Sequence, residues 1–111
     1  MTDAAACSRA ARALLLTEVA EAWQAAEGAG DIGERHRLGL RLAATHATEV
    51  AAKVTSTMYH AAGGSSIYDS SPLQRRFRDV HVATQHVMVA PATWELCGRL
   101  LLGLPTDTTQ L

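Results

Sequence analysis

Proline and glycine are rare in this chain, and their positions restrict it to long helices. The 111 residues contain three prolines, none of them before Pro72, and no glycine precedes Gly28. Alanine, the strongest helix former, is abundant between them. Because proline and glycine are the residues that most strongly interrupt helices, long stretches without them favour continuous helix. The pattern therefore predicts an all-α domain.

Two long helices are predicted for the first half of the chain. The first begins at a capping residue, Thr2 or Asp3, and extends to about Glu27. Asp31 begins the second, which extends to about Ala62. The glycines between the two helices can adopt the left-handed conformation that ends a helix.

Two shorter helices are predicted after the glycine pair that ends the second helix. Pro72 begins the third at a position where a missing N–H costs nothing, and this helix extends to about Val89. Pro91 begins the fourth, which ends close to the last proline. The four helices are predicted to pack as an antiparallel bundle over residues 1–105, with residues 106–111 as a tail.

Helical periodicity assigns an inner face to the first, second and fourth helices. The residues predicted to face the core are Leu15, Val19, Ala22, Trp23 and Ala26, then Leu40, Ala43, Ala44, Ala47, Ala51, Val54 and Met58, then Trp94, Cys97, Leu100, Leu101 and Leu104. The alanines allow a neighbouring helix to approach closely. The other side of the second helix is predicted to carry its hydroxyl residues, Thr45, Thr48, Thr55 and Tyr59.

The third helix separates an apolar face from a polar stripe. The apolar side, predicted to face the core, consists of Leu73, Phe77, Val80, Thr84 and Val87. Arg75, Asp79, Val82 and His86 gather on the opposite side, where Arg75 and Asp79 are four residues apart and can form an ion pair. Such a stripe is either a solvated face or the wall of a site. The stripe by itself favours a solvated face.

The segment GGSS, residues 63–66, also has two interpretations. Free backbone N–H groups, hydroxyls and the positive end of a following helix suit a phosphate group. Glycine pairs more often simply end helices. The loop by itself therefore favours a corner between two helices.

The charge and the cysteines argue against several classes of function. The formal net charge is −1, without the basic excess of a nucleic-acid-binding protein, and no apolar run is long enough to cross a bilayer. Cys7 and Cys97 have no ligand-like spacing, and we interpret them as reduced thiols of a cytoplasmic protein. His46 and Glu49 form half of a helical metal motif, but no second Glu–His pair accompanies them. No metal site is therefore predicted.

The C-terminal half carries an ordered set of short motifs. They are Ala-Gly-Gly at 62–64, Pro-Leu-Gln-Arg at 72–75, Arg78-Asp79, His86, and Gly-Arg-x-Leu-Leu-Gly-Leu at 98–104. In this order and spacing they resemble the C-terminal helical domain of the acyl-CoA dehydrogenase superfamily. More narrowly, they resemble its flavin-dependent monooxygenases, the oxygenase components of two-component systems. That branch includes hydroxylases of phenols, of steroid-ring phenols and of dibenzothiophene-type sulfur compounds.

The resemblance implies a bundle at the core of a homotetramer, with a flavin, FMN or FAD, bound mainly by a neighbouring subunit. Carried over by position, Gly63 and Gly64 contact the flavin and Ser65 donates a hydroxyl beside them. His60 occupies a flavin-contact position at which the dehydrogenases tend to have glutamine. His86 matches a catalytic histidine near the reactive edge of the flavin, where it assists the oxygen chemistry or acts on the substrate.

One departure separates this chain from the dehydrogenases that it resembles. They carry a catalytic glutamate close to position 86, in a Glu-Gly-Thr setting, whereas this chain has His86, Val87 and Met88. Because no carboxylate is there to act as a base, the segment argues against proton abstraction from an acyl thioester. The residues favour the monooxygenase branch.

The resemblance also implies missing parts. The superfamily's N-terminal helical domain, its middle β-domain and the first helix of its C-terminal domain have no counterpart here, so we expect a fragment, a truncated relative or one piece of a split protein. The expected function is that of an oxygenase domain that acts on an aromatic or related small molecule, with a flavin reductase as a further partner. Two alternatives stay open, an acyl-CoA dehydrogenase fragment and a non-catalytic helical oligomerisation module.

Overall fold

The computed structural model describes residues 2–111, and these residues form four α-helices and no strand. The helices are α1, Thr2–Ala29; α2, Glu34–Ala62; α3, Pro72–Ala83; and α4, Ala92–Leu101. A short 3₁₀ helix, Gly63–Ile67, follows α2 directly and is called the glycine turn below. The prediction of an all-α chain with four helices is confirmed.

The first two helices form an antiparallel hairpin. Gly30, with φ of 76°, takes the left-handed conformation that lets the chain leave α1. Asp31 does not begin α2 as predicted, because its carboxylate accepts the N–H of Ile32 and the residue that precedes the helix is Gly33. Along the hairpin, Gly39 gives Glu18 room, since a Cβ at position 39 would lie 2.1 Å from the Glu18 carboxylate.

α3 packs antiparallel on the C-terminal half of α2. The rings of Tyr59 and Phe77 stack with centroids 4.6 Å apart, and Phe77 in turn contacts the imidazole of His81. Further down both helices, the Ser56 hydroxyl lies 3.2 Å from the Nε2 atom of His81. These contacts place the beginning of α3 beside the end of α2.

α4 packs antiparallel on the earlier part of α2. The Trp94 indole donates a hydrogen bond to the Glu49 carboxylate, and Thr93 lies beside Arg41. Each of the other three helices therefore packs on α2, and they do not pack closely on one another. The central position of α2 explains why half of the buried residues belong to it.

α3 is shorter than predicted. It ends at Ala83 and not near Val89, and residues 84–90 form a series of turns. The Thr84 hydroxyl donates to the carbonyl of His81 at 2.6 Å, and the N–H of His86 bonds to the carbonyl only three residues earlier, on Ala83. These tighter bonds end the regular helix.

The core is small and partly polar. Its buried apolar members are Ala11, Ala22, Ala43, Val50, Ala52 and Cys97, and its buried polar members are Arg41, Thr45, Ser66 and Thr93. The assignments of Ala22, Ala43 and Cys97 to the interior are confirmed. The assignment is wrong for Trp23 and Leu101, which are 67% and 68% exposed. It is also wrong for four further exposed residues, Val19, Ala51, Val87 and Leu104. Periodicity finds an apolar face, but it cannot say how much of that face a neighbouring helix covers.

The hydroxyl side of α2 is also placed differently from the prediction. Thr45 is fully buried, and its hydroxyl needs no water because it donates to the carbonyl of Arg41 at 2.8 Å.

Within residues 2–111, no helix is both long enough and apolar enough to cross a membrane.

Candidate active site

His86 lies in the turns after α3 and is exposed to solvent. Its Nδ1 atom accepts the backbone N–H of Met88 at 3.2 Å. Because Nδ1 accepts, the proton of the neutral imidazole must be on Nε2. His86 therefore presents an N–H donor to any group that approaches its Nε2 side.

Arg75 and Asp79 form the predicted ion pair, with 3.7 Å between Nε and the carboxylate oxygen. Their side chains are 79% and 70% exposed, so the pair lies on a solvated surface. The predicted stripe does not extend to His86, because α3 ends at Ala83 and helical spacing no longer applies beyond it. Among residues 2–111 this is the only ion pair.

The glycine turn holds the predicted flavin contacts, and most of its polar groups are used within the turn. Gly63 has φ of 65°, and its N–H donates to the carbonyl of His60. The Ser65 hydroxyl donates to the carbonyl of Ala62 at 2.9 Å, so its oxygen keeps only acceptor capacity. A Cβ built on Gly63 or on Gly64 would meet no atom within 4 Å. The turn therefore offers open, flat backbone to its surroundings.

The Nδ1 atom of His60 is a hydrogen-bond donor, whereas that of His86 is an acceptor. The Nδ1–H of His60 donates to the carbonyl of Ser56 at 2.7 Å, so in the neutral ring its Nε2 is an acceptor. Beneath the turn, the buried Ser66 hydroxyl lies 2.7 Å from the carbonyl of Gly63 and fixes the backbone there. At this end of α2, the side chains of Ser65 and His60 offer acceptors, whereas the donor on His86 lies in the turns after α3.

The predicted site residues lie along α2. Met88, two residues after His86, contacts Arg41, whereas the glycine turn follows Ala62. Arg41 and Ala62 are 21 residues apart on the same helix, which at 1.5 Å per residue is about 30 Å. His81, five residues before His86, lies beside Ser56 near the end of α2, so the segment that carries His86 runs from the glycine-turn side of this helix toward Arg41.

The most unusual side chain near His86 was missed by the sequence reasoning. Arg41 is only 6% exposed. Its Nη1 donates to the Met88 sulfur at 3.1 Å and to the carbonyl of Gln110, while its Nη2 lies 3.5 Å from the Thr93 hydroxyl. Its Nε has no hydrogen-bond partner within residues 2–111. The sequence did contain a signal for a buried polar position: Arg41 and Thr45 are four residues apart, on one helix face, within an alanine-rich stretch.

A pocket of about 280 Å³ lies beside this arginine. It is called the Arg41 pocket below, and its lining is Arg37, Leu40, Arg41, Ala44, Met88, Val89 and Leu111. Apart from the arginines, its walls are apolar side chains. The backbone N–H of Met88 donates to His86, and the side chain of Met88 lines the pocket. The histidine and part of the pocket wall therefore belong to one segment of the chain.

The groups around Arg41 do not neutralise it. Burial raises the pKa of the Cys97 thiol, an effect that the Arg41 charge opposes, so this thiol stays protonated at neutral pH. The C-terminal residues approach as neutral peptide, through the Gln110 carbonyl. In the C-terminal tail, the Asp107 carboxylate accepts hydrogen bonds from the hydroxyl and the N–H of Thr109, and these bonds lower the pKa of Asp107. The same two bonds fix a turn in the tail. Within residues 2–111 no cluster of His, Cys, Asp and Glu could hold a metal ion.

Comparison with known proteins identifies the family. The profile of the acyl-CoA dehydrogenase C-terminal domain matches residues 1–91. The chain belongs to this family, as its motifs predicted. The crystal structure of the HsaA monooxygenase from M. tuberculosis superposes with a TM-score of 0.88 over 99% of this chain and 29% of that chain. At 23% identity, this likeness confirms the fold.

Two curated relatives are named indole-3-acetate monooxygenase. The protein from Pseudomonas putida is 33% identical over 103 residues, which is 93% of this chain and 26% of the relative. The protein from Acinetobacter baumannii is 43% identical over 65 residues, 59% of this chain and 17% of the relative. The chain thus spans about a quarter or less of the length of the relatives it matches.

Proposed function

We propose that this chain is the C-terminal helical domain of a flavin-dependent monooxygenase, the oxygenase component of a two-component system, acting on an aromatic substrate. Its family and its relatives named as monooxygenases support this class. The observation that carries the proposal is His86, whose Nδ1 accepts from Met88 of the Arg41 pocket, in a segment, residues 84–90, without any carboxylate.

His86 is the residue we assign to the chemistry. The N–H of Met88 holds its tautomer, so that Nε2 donates a hydrogen bond to oxygen or to the substrate. The absence of a carboxylate in the same turns disfavours the alternative of an acyl-CoA dehydrogenase fragment, which needs a base. Activation of molecular oxygen is the chemistry that a bound flavin, FMN or FAD, would supply.

The glycine turn fits one edge of a flavin but not the whole of it. Gly63 and Gly64 leave open backbone that a flat ring can approach, while Ser65 and the Nε2 of His60 supply acceptors for its N–H groups. The turn has no cationic side chain for a phosphate. The flavin would therefore be shared with further domains or with a neighbouring copy of the chain.

The exposed apolar surface favours an oligomer such as a homotetramer, in which a neighbouring copy would supply part of each flavin site. Large apolar side chains are exposed on several helices and suit burial between subunits. They include Leu16, Trp23, Val82 and Leu102.

Two finer points belong to the same proposal. Both cysteines are free, which suits a reducing cytoplasm. A flavin reductase would supply the reduced flavin as a separate partner.

The second candidate is a helical oligomerisation module without catalysis. The observation that favours it is the exposed apolar surface, with Val82 at 73% and Leu102 at 76%. The two candidates make different demands on His86, since only the monooxygenase needs its imidazole.

The test uses the chain assembled with the flavin-binding domains of a relative and a flavin reductase. Product formed from indole-3-acetate is measured for the wild type, for His86→Ala and for His81→Ala, a matched change of an exposed histidine on α3. We expect His86→Ala to lower oxygenation by about 10²- to 10⁴-fold, the usual contribution of a positioned acid or base. Unchanged oxygenation in His86→Ala would remove the catalytic assignment and favour the oligomerisation module.

A further inference from the structure

The turns that carry His86 are tied by a single hydrogen bond to a distant part of the fold. Within residues 2–111, every other hydrogen bond of the segment 84–90 is formed with a residue at most four positions away in the chain. The exception is the contact of 3.1 Å between the Nη1 atom of Arg41 and the sulfur of Met88, which joins residues 47 positions apart. This one contact connects the segment to α2.

The position of Arg41 in the fold suits it to hold another segment in place. Its side chain is only 6% exposed and belongs to α2, the helix on which the other three pack. Besides Met88, its guanidinium donates to the carbonyl of Gln110 and lies 3.5 Å from the Thr93 hydroxyl. The location of the guanidinium is therefore set by the centre of the fold and not by the turns that it contacts.

The contact to Met88 is directional, in contrast to the packing around it. Met88 and Val89 line one pocket with Leu40 and Ala44, and apolar contacts of this kind have no preferred direction. A hydrogen bond from a charged donor constrains both a distance and an angle. The guanidinium therefore gives the Met88 turn a direction that packing alone does not supply.

Met88 transmits this constraint to His86. The sulfur of Met88 accepts from Arg41, while its backbone N–H donates to the Nδ1 atom of His86 at 3.2 Å. With that N–H in place the neutral imidazole carries its proton on Nε2, whereas without it either nitrogen can carry the proton.

We propose that Arg41 is a positioning residue for His86, because it fixes the tautomer and the direction of the imidazole through Met88. The effect on the imidazole does not depend on the proposed function. The effect on oxygenation rests on it.

The experiment observes the imidazole of His86 by nitrogen NMR in the full chain, at alkaline pH and without flavin or substrate. The nitrogen shifts distinguish the two neutral tautomers, and the loss of one signal in His86→Ala assigns it. Arg41→Met removes the donor, and Met88→Leu removes the acceptor but keeps the backbone N–H. The control Thr93→Val removes a different contact of the same arginine.

We expect Arg41→Met and Met88→Leu each to raise the ratio of the Nδ1–H tautomer to the Nε2–H tautomer by about 2- to 10-fold, the effect of one weakened hydrogen bond. Thr93→Val should leave the ratio unchanged. Because Met88→Leu keeps the guanidinium in place, it decides the proposal by itself if Arg41→Met does not fold. An unchanged ratio in Met88→Leu, or an equal change in Thr93→Val, would overturn the proposal.

The double variant Arg41→Met/Met88→Leu separates positioning from a general loosening of the core. If Arg41 acts through the Met88 sulfur, the double variant should change the tautomer ratio no more than either single variant does. Two effects that multiply would show that Arg41 acts on His86 by another route and would also overturn the proposal.

The assembled enzyme described above provides the catalytic measurement. Arg41→Met should lower kcat by about 10- to 100-fold and change KM little, because a displaced imidazole alters the reacting geometry and not the binding of the ground state. Full kcat in Arg41→Met, with oxygenation lost in His86→Ala, would contradict the catalytic part of the proposal.

The failure of this proposal can be distinguished from failure of the proposed function. A changed tautomer ratio in Met88→Leu together with full oxygenation in His86→Ala would contradict the catalytic assignment and leave the positioning role intact. An unchanged ratio would contradict the positioning role and leave the assignment of His86 to its own test.

Discussion

The polar side chains at the two ends of α2 differ in how their hydrogen bonds are satisfied. At the glycine turn, the side chains of Ser65, Ser66 and His60 each donate to a backbone carbonyl three or four residues earlier, and the surface is open to solvent. At the other end, Arg41 is buried beneath the Met88 segment and the C-terminal residues, and its Nε remains unsatisfied. One end is satisfied by local hydrogen bonds, whereas the other leaves one donor of a buried cation without a partner among residues 2–111.

The difference shows how much each end depends on the rest of the fold. A turn whose hydrogen bonds are local needs no partner from elsewhere in the chain. A buried cation depends on acceptors from distant segments, here Met88, Thr93 and Gln110.

The largest stability effect should come from overpacking the Arg41 end. Ala43 is fully buried, so Ala43→Leu should lower the free energy of unfolding by about 1–3 kcal/mol. Ala61→Leu, at an exposed position near the glycine turn, is the matched control and should change it by less than about 0.5 kcal/mol. Urea unfolding of both variants measures the difference. Equal losses would mean that the two ends are packed alike.

The next effect concerns the conformation of the glycine turn. Gly63 has φ of 65° and ψ of −149°, a region that almost only glycine adopts, so Gly63→Ala should be destabilising by about 1–3 kcal/mol. Gly64, the adjacent residue, has no positive φ, and a Cβ there would meet nothing. Gly64→Ala should therefore be neutral in the same unfolding assay. A neutral result at both positions would contradict a turn fixed by its backbone.

A third effect distinguishes the thiols. Burial raises the pKa of Cys97, so the folded state retains a proton that the unfolded state loses at its ordinary value of about 9. The resulting stability is present in full below about pH 9 and is lost as the pH rises through the higher pKa of the folded protein. Cys97→Ala should flatten this alkaline decline, and Cys7→Ala, at an exposed position, should not. Unfolding midpoints between pH 7 and pH 10 would measure it, and parallel curves for wild type and Cys97→Ala would contradict it.

The smallest effect is expected at the exposed pair of α3. Asp79→Asn removes the ion pair with Arg75, whose groups are both well solvated. The loss should be about 0.5 kcal/mol or less and should disappear in high salt. A larger effect that persists in high salt would show that this surface is buried in an assembly.

Much of the fold was predictable from local chemistry. Pro72 begins α3, Gly63 ends α2, and the long alanine-rich stretches form α1 and α2 as predicted. The end of α3 was not predictable from spacing, because residues 84–89 continue the helical pattern while tight hydrogen bonds at Thr84 and His86 end the helix. His86 was identified by resemblance, but its tautomer depends on the N–H of Met88.

The order of residues alone determined the helices, their approximate lengths and the family, since these depend on the placement of proline, glycine and short motifs along the chain. Only the tertiary structure decided that Trp23 is exposed, that Thr45 and Arg41 are buried, and that Met88 contacts Arg41. The physical reason is that burial and charge compensation depend on which elements meet in space. Arg41 has its unusual environment because segments 47 and 69 residues later in the chain fold over it.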